Sequence, residues 1–284
     1  MSLSASNGVQ TPRNLILPFK SGLEALDAIL YVKLQQIAKD ADAVGNLHFA
    51  RFFNFHNYQL GFFSVYEGAF ENNIHGFLKY MAPIFNFLND HVADPAPAPL
   101  EKNEEAWIKW ITDHDLEGIG FYSAYPTRSA QEIRTRAGVS QGSMKPNQSP
   151  LTLVLPTRSP QHLAAASQLI TSALPQFYAA ADAIGTIHFA RFVPMGEAAL
   201  VLIAEYDGEC NKLIHDLATR LGPLLDQLLD NVIDPPKTAV QKNTSAFASW
   251  VTAHNIKPWL FYSAYPTLSV QDVLRKTKAA YAER

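Results

Sequence analysis

The chain has 284 residues, of which 48% are hydrophobic and 17% charged, and its formal net charge is −3. These values are typical of globular domains and exclude disordered, collagen-like and membrane-embedded chains. The 23 basic residues are balanced by 26 acidic ones, so the sequence lacks the broad cationic surface that nucleic-acid binding requires. We therefore expect neither nucleic acid nor a membrane as a partner.

The single cysteine, Cys210, excludes an internal disulfide and favours a reducing compartment. Residues 1–10 are polar and lack the apolar segment of a signal peptide. No uninterrupted apolar run approaches the roughly 18 to 20 residues that cross a bilayer. The sequence therefore predicts a cytoplasmic protein.

The first elements of the chain follow the pattern strand, helix, hairpin. Leu15–Phe19 is a short apolar run that contains a proline, which is typical of a buried strand followed by a turn. Apolar residues then recur at helical spacing from Leu23 to Ile37, and Ser21 is a candidate N-cap. Asn46–Phe55 and Gln59–Tyr66 are rich in aromatic and β-branched residues and predict an antiparallel hairpin.

The next elements are helical, and a strand follows them. Ile74–Phe85 has the apolar period of a helix, which must end before Asp94 and its following proline. A short helix around Trp107 and a final strand over Ile119–Tyr125 complete the order β-α-β-β-α-(α)-β.

The second half of the chain repeats the first. Residues 41–52 are ADAVGNLHFARF and residues 181–192 are ADAIGTIHFARF, while FYSAYPT occupies both 121–127 and 261–267. The offset is 140 in both cases, and a gapless alignment of 96 positions at this offset contains 36 identities. The chain is therefore a duplicated domain.

The repeats are separated by a polar segment. LILP at 15–18 corresponds to LVLP at 153–156 with an offset of 138, so each copy begins near this motif. Residues 138–150 are rich in Gly, Ser and Pro, as expected of a linker. We therefore predict a first repeat over 12–137 and a second over 151–284.

The predicted order of elements is that of a ferredoxin-like unit, a four-stranded antiparallel sheet with both main helices on one face. The other face carries too much apolar surface to remain in water. Two copies can bury these faces by packing sheet to sheet. We therefore expect an α+β fold in which two tandem ferredoxin-like repeats form a pseudo-dimeric α+β barrel.

This tandem layout resembles the dimeric α+β barrel superfamily, which includes chlorite dismutases, dye-decolourising peroxidases, muconolactone isomerases and small monooxygenases. The resemblance covers nearly the whole chain and rests on element order and duplication. The paired signatures HFARF, Y[ED]G and FYSAYPT also look like segments of uncharacterised bacterial proteins. The resemblance implies a fold and leaves the activity open.

Two repeated arginines, Arg51 and Arg191, are candidates for binding a carboxylate-bearing ligand. Strand alternation places Arg51 and His48 on opposite sheet faces, and we expect the arginine to face the space between the sheets. The alternative is a structural ion pair with an acid such as Glu205. His48 and His188 are then expected between sheet and helix, bonded to a carbonyl or a tyrosine hydroxyl.

Further ligand-binding candidates are repeated aromatic residues. They lie at the end of the hairpin and in the final strands, where phenol groups line either a ligand pocket or a filled barrel. These residues are Tyr66, Tyr206, Tyr125 and Tyr265.

Two helix histidines, His75 and His215, are candidate haem ligands, because each lies beside an isoleucine of the apolar stripe. The superfamily resemblance implies the same cofactor, since two of its branches bind haem. No firm metal site and no catalytic residue follow from the sequence.

We therefore expect an α+β barrel protein that binds a small molecule, aromatic or carboxylate-bearing, with uncertain enzymatic activity. One alternative is a haem-binding, peroxidase-like enzyme. Another is a noncatalytic structural or oligomerising module. Self-association into a homo-oligomer is compatible with each of these.

Overall fold

Two four-stranded antiparallel sheets pack face to face in the computed structural model, which describes residues 9–20, 29, 32–33, 38–55, 59–143 and 145–278. In chain order the described elements are β1 (Gln10–Pro18), α1 (Ala38–Val44), β2 (Leu47–Phe55), β3 (Gln59–Glu67), α2 (Phe70–His91), α3 (Glu104–His114), β4 (Ile119–Ser123), α4 (Ala130–Ala137), β5 (Gln148–Pro156), α5 (Pro160–Ile184), β6 (Ile187–Met195), β7 (Ala199–Asp207), α6 (Cys210–Leu229), α7 (Thr244–His254), β8 (Leu260–Ser263) and α8 (Val270–Lys278). A short 3₁₀ turn, Leu100–Lys102, precedes α3. The predicted fold class is confirmed.

The fourth strand of each sheet comes from the other repeat. The first sheet has the order β1-β3-β2-β8 and the second has the order β4-β6-β7-β5. Thus Phe261 of the second repeat pairs with Arg51, and Tyr122 of the first repeat pairs with Ala190. The sequence order alone predicts four strands within each copy and does not reveal this exchange. Because one chain carries both copies, the exchange adds little loop-closure entropy.

Helices cover the outer face of each sheet. The apolar side of α2 packs on the first sheet, and α5 and α6 pack on the second. Ser159 caps α5 by accepting from the His162 amide, and Gly185 ends this helix with a φ of 71°. The first-repeat helix predicted over Leu23–Ile37 lies outside the described residues except for positions 29, 32 and 33.

Two helices that the sequence analysis missed follow the exchanged strands. Helix α4 begins after Ser129, whose hydroxyl accepts from the Glu132 amide, and ends at Gly138 with a φ of 68°. Helix α8 occupies the corresponding position in the second repeat. Strand β5 begins at Gln148, inside the predicted linker; the repeat boundaries themselves stay a prediction.

Between the sheets, side chains form successive layers along β2 and β6. His48 and His188 lie near one end of these strands, Arg51 and Arg191 lie at the middle, and a small apolar cluster lies toward the other end. That cluster comprises Phe53, Phe55, Phe63, Val154, Val193, Met195, Ala199, Val201 and Ile203. No helix in the described part of the chain has the length and apolarity needed to span a membrane.

Candidate functional site

Four of the predicted site residues meet in one buried hydrogen-bonded chain that joins the repeats. His48 Nδ1 lies 2.9 Å from the Tyr265 hydroxyl, which lies 3.0 Å from the Tyr125 hydroxyl. The Tyr125 hydroxyl lies 2.7 Å from His188 Nδ1. All four side chains are at most 2% exposed. The final strands therefore carry each tyrosine to the histidine of the other repeat.

Acidic residues close both ends of this chain. Glu67 Oε2 lies 2.8 Å from His48 Nε2, and Asp207 Oδ1 lies 2.8 Å from His188 Nε2. Glu67 also accepts from the Ala130 amide at the start of α4, and Asp207 accepts from the corresponding amide of α8. We call the six residues the central chain: Glu67, His48, Tyr265, Tyr125, His188 and Asp207.

The two acids are not among the residues predicted from the sequence, although the repeated Y[ED]G motif contains them. The motif directly precedes α2 and α6, where an acidic residue is typical of a cap for the helix that follows. In the structure Glu67 instead caps α4, which begins 63 positions later, through the Ala130 amide. The acidic position of the motif therefore serves the histidine and a distant helix together.

The expected position of His48 and His188 between sheet and helix is wrong. The β2–β3 register shifts between Leu47 and Phe49, and the β6–β7 register shifts between Ile187 and Phe189. A bulge of this kind interrupts the alternation of side chains. The bulged histidine is thereby directed toward the tyrosine of the other repeat. The expected tyrosine partner is confirmed.

Burial keeps the central phenols protonated. Desolvation raises the pKa of Tyr125 and of Tyr265 well above the usual value of 10.0, and nearby carboxylates such as Glu205 raise both pKa values further. Within the central chain, the tyrosines therefore act as neutral donors and acceptors.

Arg51 faces the other sheet, as predicted, and its guanidinium is fully buried. Nη1 donates to the Leu151 carbonyl and to the Thr152 hydroxyl, each at 2.8 Å. Nη2 donates to the Ala204 carbonyl at 2.9 Å and forms an ion pair with Glu205. The internal pairing named as the alternative is thus the one that the structure contains, and it occupies the groups that a carboxylate ligand would need.

Arg191 is equally buried, yet its sequence-equivalent acid is missing. Position 65, at the 140-residue offset from Glu205, is Val65. Arg191 Nε instead donates to the Asn14 side chain at 2.6 Å, while Nη1 is buried with no hydrogen-bond partner among the described residues. Desolvation lowers the pKa of Arg191 to about 10. The guanidinium therefore remains charged near neutral pH.

Tyr66 and Tyr206 lie apart from the central chain, against the helices. The Tyr66 hydroxyl accepts from Arg13 Nη2 at 2.9 Å, and burial raises the pKa of Tyr66 above its usual value. Burial also raises the pKa of Tyr206, and the neighbouring Cys210 thiol adds to this increase. Both tyrosines belong to the helix-facing cores and not to a common site with the arginines.

The histidines do not fit a haem. His75 and His215 are exposed on the outer faces of α2 and α6. The isoleucine beside each of them faces the core, as predicted, but the histidine itself is directed to solvent and does not enter a cavity. His48 and His188 have both ring nitrogens hydrogen-bonded. Among the described residues, no cluster of three or more metal-ligating side chains is present.

A cavity opens at the opposite end of the inter-sheet space from the central chain. Its volume is about 790 Å³, and both repeats contribute to its lining, in part through equivalent positions. The apolar pairs are Ile16 with Val154, Phe55 with Met195, and Leu116 with Ile256. The polar lining residues are Gln59, Thr157, Glu197, His254 and Asn255. We call this space the mouth cavity. None of its residues was singled out as a site residue from the sequence.

No family model matches the chain, and no curated protein matches its sequence. The similarity of HFARF and Y[ED]G to bacterial proteins therefore stays a prediction. Among solved structures, a candidate monooxygenase from Lactobacillus acidophilus NCFM is similar over 91% of this chain and 99% of its own, with 7% identity and a TM-score of 0.42. A candidate monooxygenase from Fusobacterium nucleatum matches over 93% and 98%, with 8% identity and a TM-score of 0.45.

An anthrone oxidase-like protein matches over 93% of this chain and 95% of its own, with 11% identity and a TM-score of 0.35. Similarities this distant carry no assignment of activity. What this chain binds must therefore follow from its own cavity and side chains.

Proposed function

We propose that the chain binds a small, uncharged aromatic molecule in the mouth cavity. The observation that carries the proposal is a pocket of about 790 Å³ that opens at one end of the inter-sheet space and has a mainly apolar lining. Small-molecule pockets span about 300–1,000 Å³ and combine an apolar lining with few polar groups. The mouth cavity has both properties.

The lining favours an aromatic ring. Phe55 contributes an aromatic ring to the lining and Met195 a polarizable sulfur, at equivalent positions on the two hairpins. Ile16 and Val154 add branched aliphatic surface from the outer strands. A flat apolar ligand would contact both sheets at once, and the polar side chain of Asn255 would provide a group to orient a hydroxyl.

The charges near the cavity disfavour a carboxylate. Glu197 is an exposed acid at the rim, and it repels an anion that approaches. Arg51 is paired with Glu205 behind the apolar layer that includes Phe53 and Val193. Of the two ligand classes expected from the sequence, we therefore propose the aromatic one and not the carboxylate-bearing one.

A pair of matched probes tests the proposal. We expect 2-naphthol to raise the melting temperature in a dose-dependent way and 2-naphthoic acid, which has the same ring system, to do so less. Ala253→Trp should abolish the shift, because Ala253 lines the cavity from an exposed position on α7. Ser249→Trp places the same side chain one turn earlier on α7, outside the described lining, and should leave the shift unchanged.

If 2-naphthol raised the melting temperature of both tryptophan variants equally, this would contradict binding in the mouth cavity. Absence of any shift with both probes in the unmodified protein would favour the noncatalytic structural module.

A further inference from the structure

The central chain has five hydrogen-bonded contacts in a row. Their lengths run from 2.7 to 3.0 Å, which is the range of well-formed hydrogen bonds. The four inner side chains are sealed from solvent, so no water replaces a missing partner there. Each contact therefore requires one proton between its two heavy atoms.

The ordinary protonation states supply only four protons. A neutral imidazole and a phenol have one donor each, and an ionised carboxylate has none. Two histidines and two tyrosines thus fill four contacts. With this complement, one buried contact always has two lone pairs opposing each other, wherever the protons are placed.

We propose that the folded protein binds a fifth proton in the central chain, held as one imidazolium that His48 and His188 share. With His48 charged, Tyr265 donates to Tyr125, and Tyr125 donates to His188. With His188 charged, every one of these donations reverses. Each of the five contacts then contains one proton in both forms. The six side chains of the central chain together have a net charge of −1, whereas with four protons they would have −2.

The two forms interconvert by three proton shifts and no other bond change. The His48 Nδ1 proton moves to Tyr265, the Tyr265 proton moves to Tyr125, and the Tyr125 proton moves to His188 Nδ1. The repeat symmetry makes the two ends chemically similar, since Glu67 and Asp207 are 13% and 19% exposed. The proton thereby couples the two repeats.

The fifth proton belongs to imidazole and not to a carboxyl group. The Ala130 amide donates to Glu67 at 2.9 Å, and the Val270 amide donates to Asp207 at 2.7 Å. Backbone donors stabilise the ionised form of a carboxylate. Each carboxylate in turn stabilises the imidazolium 2.8 Å away.

The other groups around the central chain are compatible with this charge. Phe49 and Phe189 cover the imidazoles with aromatic rings. Glu205, on β7, is the further acid that acts on both tyrosines, and Arg51 neutralises it. Helices α4 and α8 present their N-terminal amides to the two end acids.

Histidine nitrogen NMR tests the proposal directly. At pH 8 an ordinary histidine is neutral and has one bare ring nitrogen. In ¹⁵N-histidine-labelled protein we expect the rings of His48 and His188 to contain one unprotonated nitrogen in total, instead of the two that a pair of neutral rings would contain. Two bare nitrogens, with both rings neutral, would overturn the proposal.

Removal of one phenol hydroxyl interrupts the central chain and provides the matched variants. Tyr265→Phe leaves three contacts and three available protons, so the imidazolium is no longer required and both rings should be neutral at pH 8. Tyr125→Phe gives the same count and serves if the first variant does not fold. Tyr262→Phe removes another buried phenol, bonded to Asp42 outside the chain, and should retain the shared proton. An imidazolium that persists unchanged in a folded Tyr265→Phe or Tyr125→Phe variant would contradict the proton count.

The pH dependence of unfolding gives a second measurement. A folded state that holds one extra proton loses stability as pH rises, because the unfolded state binds fewer protons. We expect the unfolding constant to increase by up to tenfold per pH unit above pH 7.5, and this dependence should weaken in Tyr265→Phe. Identical slopes in the two proteins would overturn the proposal.

Discussion

The phenol oxygens of Tyr125 and Tyr265 lie 3.0 Å apart, although 140 residues separate them in the chain. The exchange of β4 and β8 produces this contact, because each tyrosine follows a strand that is paired with the opposite repeat. The same exchange joins Tyr125 to His188 and Tyr265 to His48. The HFARF and FYSAYPT motifs therefore recur together because each supplies one half of a junction.

The distribution of buried acids predicts that the two repeats behave differently when separated. A homodimer of residues 144–284 would place Glu205 of one copy opposite Arg191 of the other. A homodimer of residues 1–143 would place Val65 opposite Arg51, and an unpaired buried charge costs about 3–5 kcal/mol. We expect the second fragment to form a folded dimer and the first to be unfolded or aggregated.

Light scattering after size-exclusion chromatography, together with circular dichroism, distinguishes these outcomes. A first-repeat dimer as stable as the second-repeat dimer would show that Glu205 does not determine this difference.

The Arg51–Glu205 pair gives a second prediction. Arg51→Met leaves Glu205 buried without its cation, and we expect the free energy of unfolding to fall by about 3–5 kcal/mol. Adding Glu205→Leu removes the stranded charge and should recover a large part of this loss. Urea unfolding of the single and double variants measures the coupling, and additive effects would argue against a direct interaction.

Gly61 and Phe53 form a complementary pair across β2 and β3. A Cβ atom at Gly61 would collide with the Phe53 ring, which covers the glycine. The equivalent positions of the second repeat are Val201 and Val193. We expect Gly61→Val to destabilise the protein by about 1–3 kcal/mol through overpacking.

The compensated variant is a sharper test of the same contact. Gly61→Val combined with Phe53→Val copies the second repeat and should regain most of the lost stability. Thermal unfolding of both variants gives the answer, and no recovery in the double variant would show that the ring is not the obstacle.

Alkaline pH should unfold the protein. Burial raises the tyrosine pKa values in the folded state, whereas the unfolded chain titrates near 10. The folded state then holds more protons than the unfolded state above pH 10, so stability falls as pH rises. The tyrosines concerned are Tyr66, Tyr122, Tyr125, Tyr206, Tyr262 and Tyr265.

Arg191 acts in the opposite direction, because its lowered pKa of about 10 releases a proton earlier in the folded state. The effect of this one arginine on stability is smaller than the combined effect of the six tyrosines. Urea unfolding from pH 8 to pH 11, with phenolate absorbance as a second signal, should show declining stability, and a rise in stability over this range would contradict the assignment.

The sequence predicts the fold well for two reasons. Hydrophobic periodicity identifies the individual strands and helices, and the 140-residue offset shows that the same order of elements occurs twice. The sequence also predicts the inward direction of Arg51 from the cost of burying charge under helices. The prediction fails for His48, because the β-bulge directs this side chain to the opposite face of the sheet. A bulge of this kind has no clear signature in the amino-acid sequence. The mouth cavity could not be predicted, since Phe55, Met195 and their neighbours resemble ordinary core residues until both sheets are assembled.

Binding in the mouth cavity is tested most directly by methyl NMR of ¹³C-methionine-labelled protein during a titration with 2-naphthol. Met195 lines the cavity, and Met81 lies in the separate helix-facing core of the first repeat as an internal control. We predict a saturable shift of the Met195 methyl signal with the Met81 signal unchanged. A Met195 signal that does not move, or equal movement of both signals, would contradict ligand binding between the sheets.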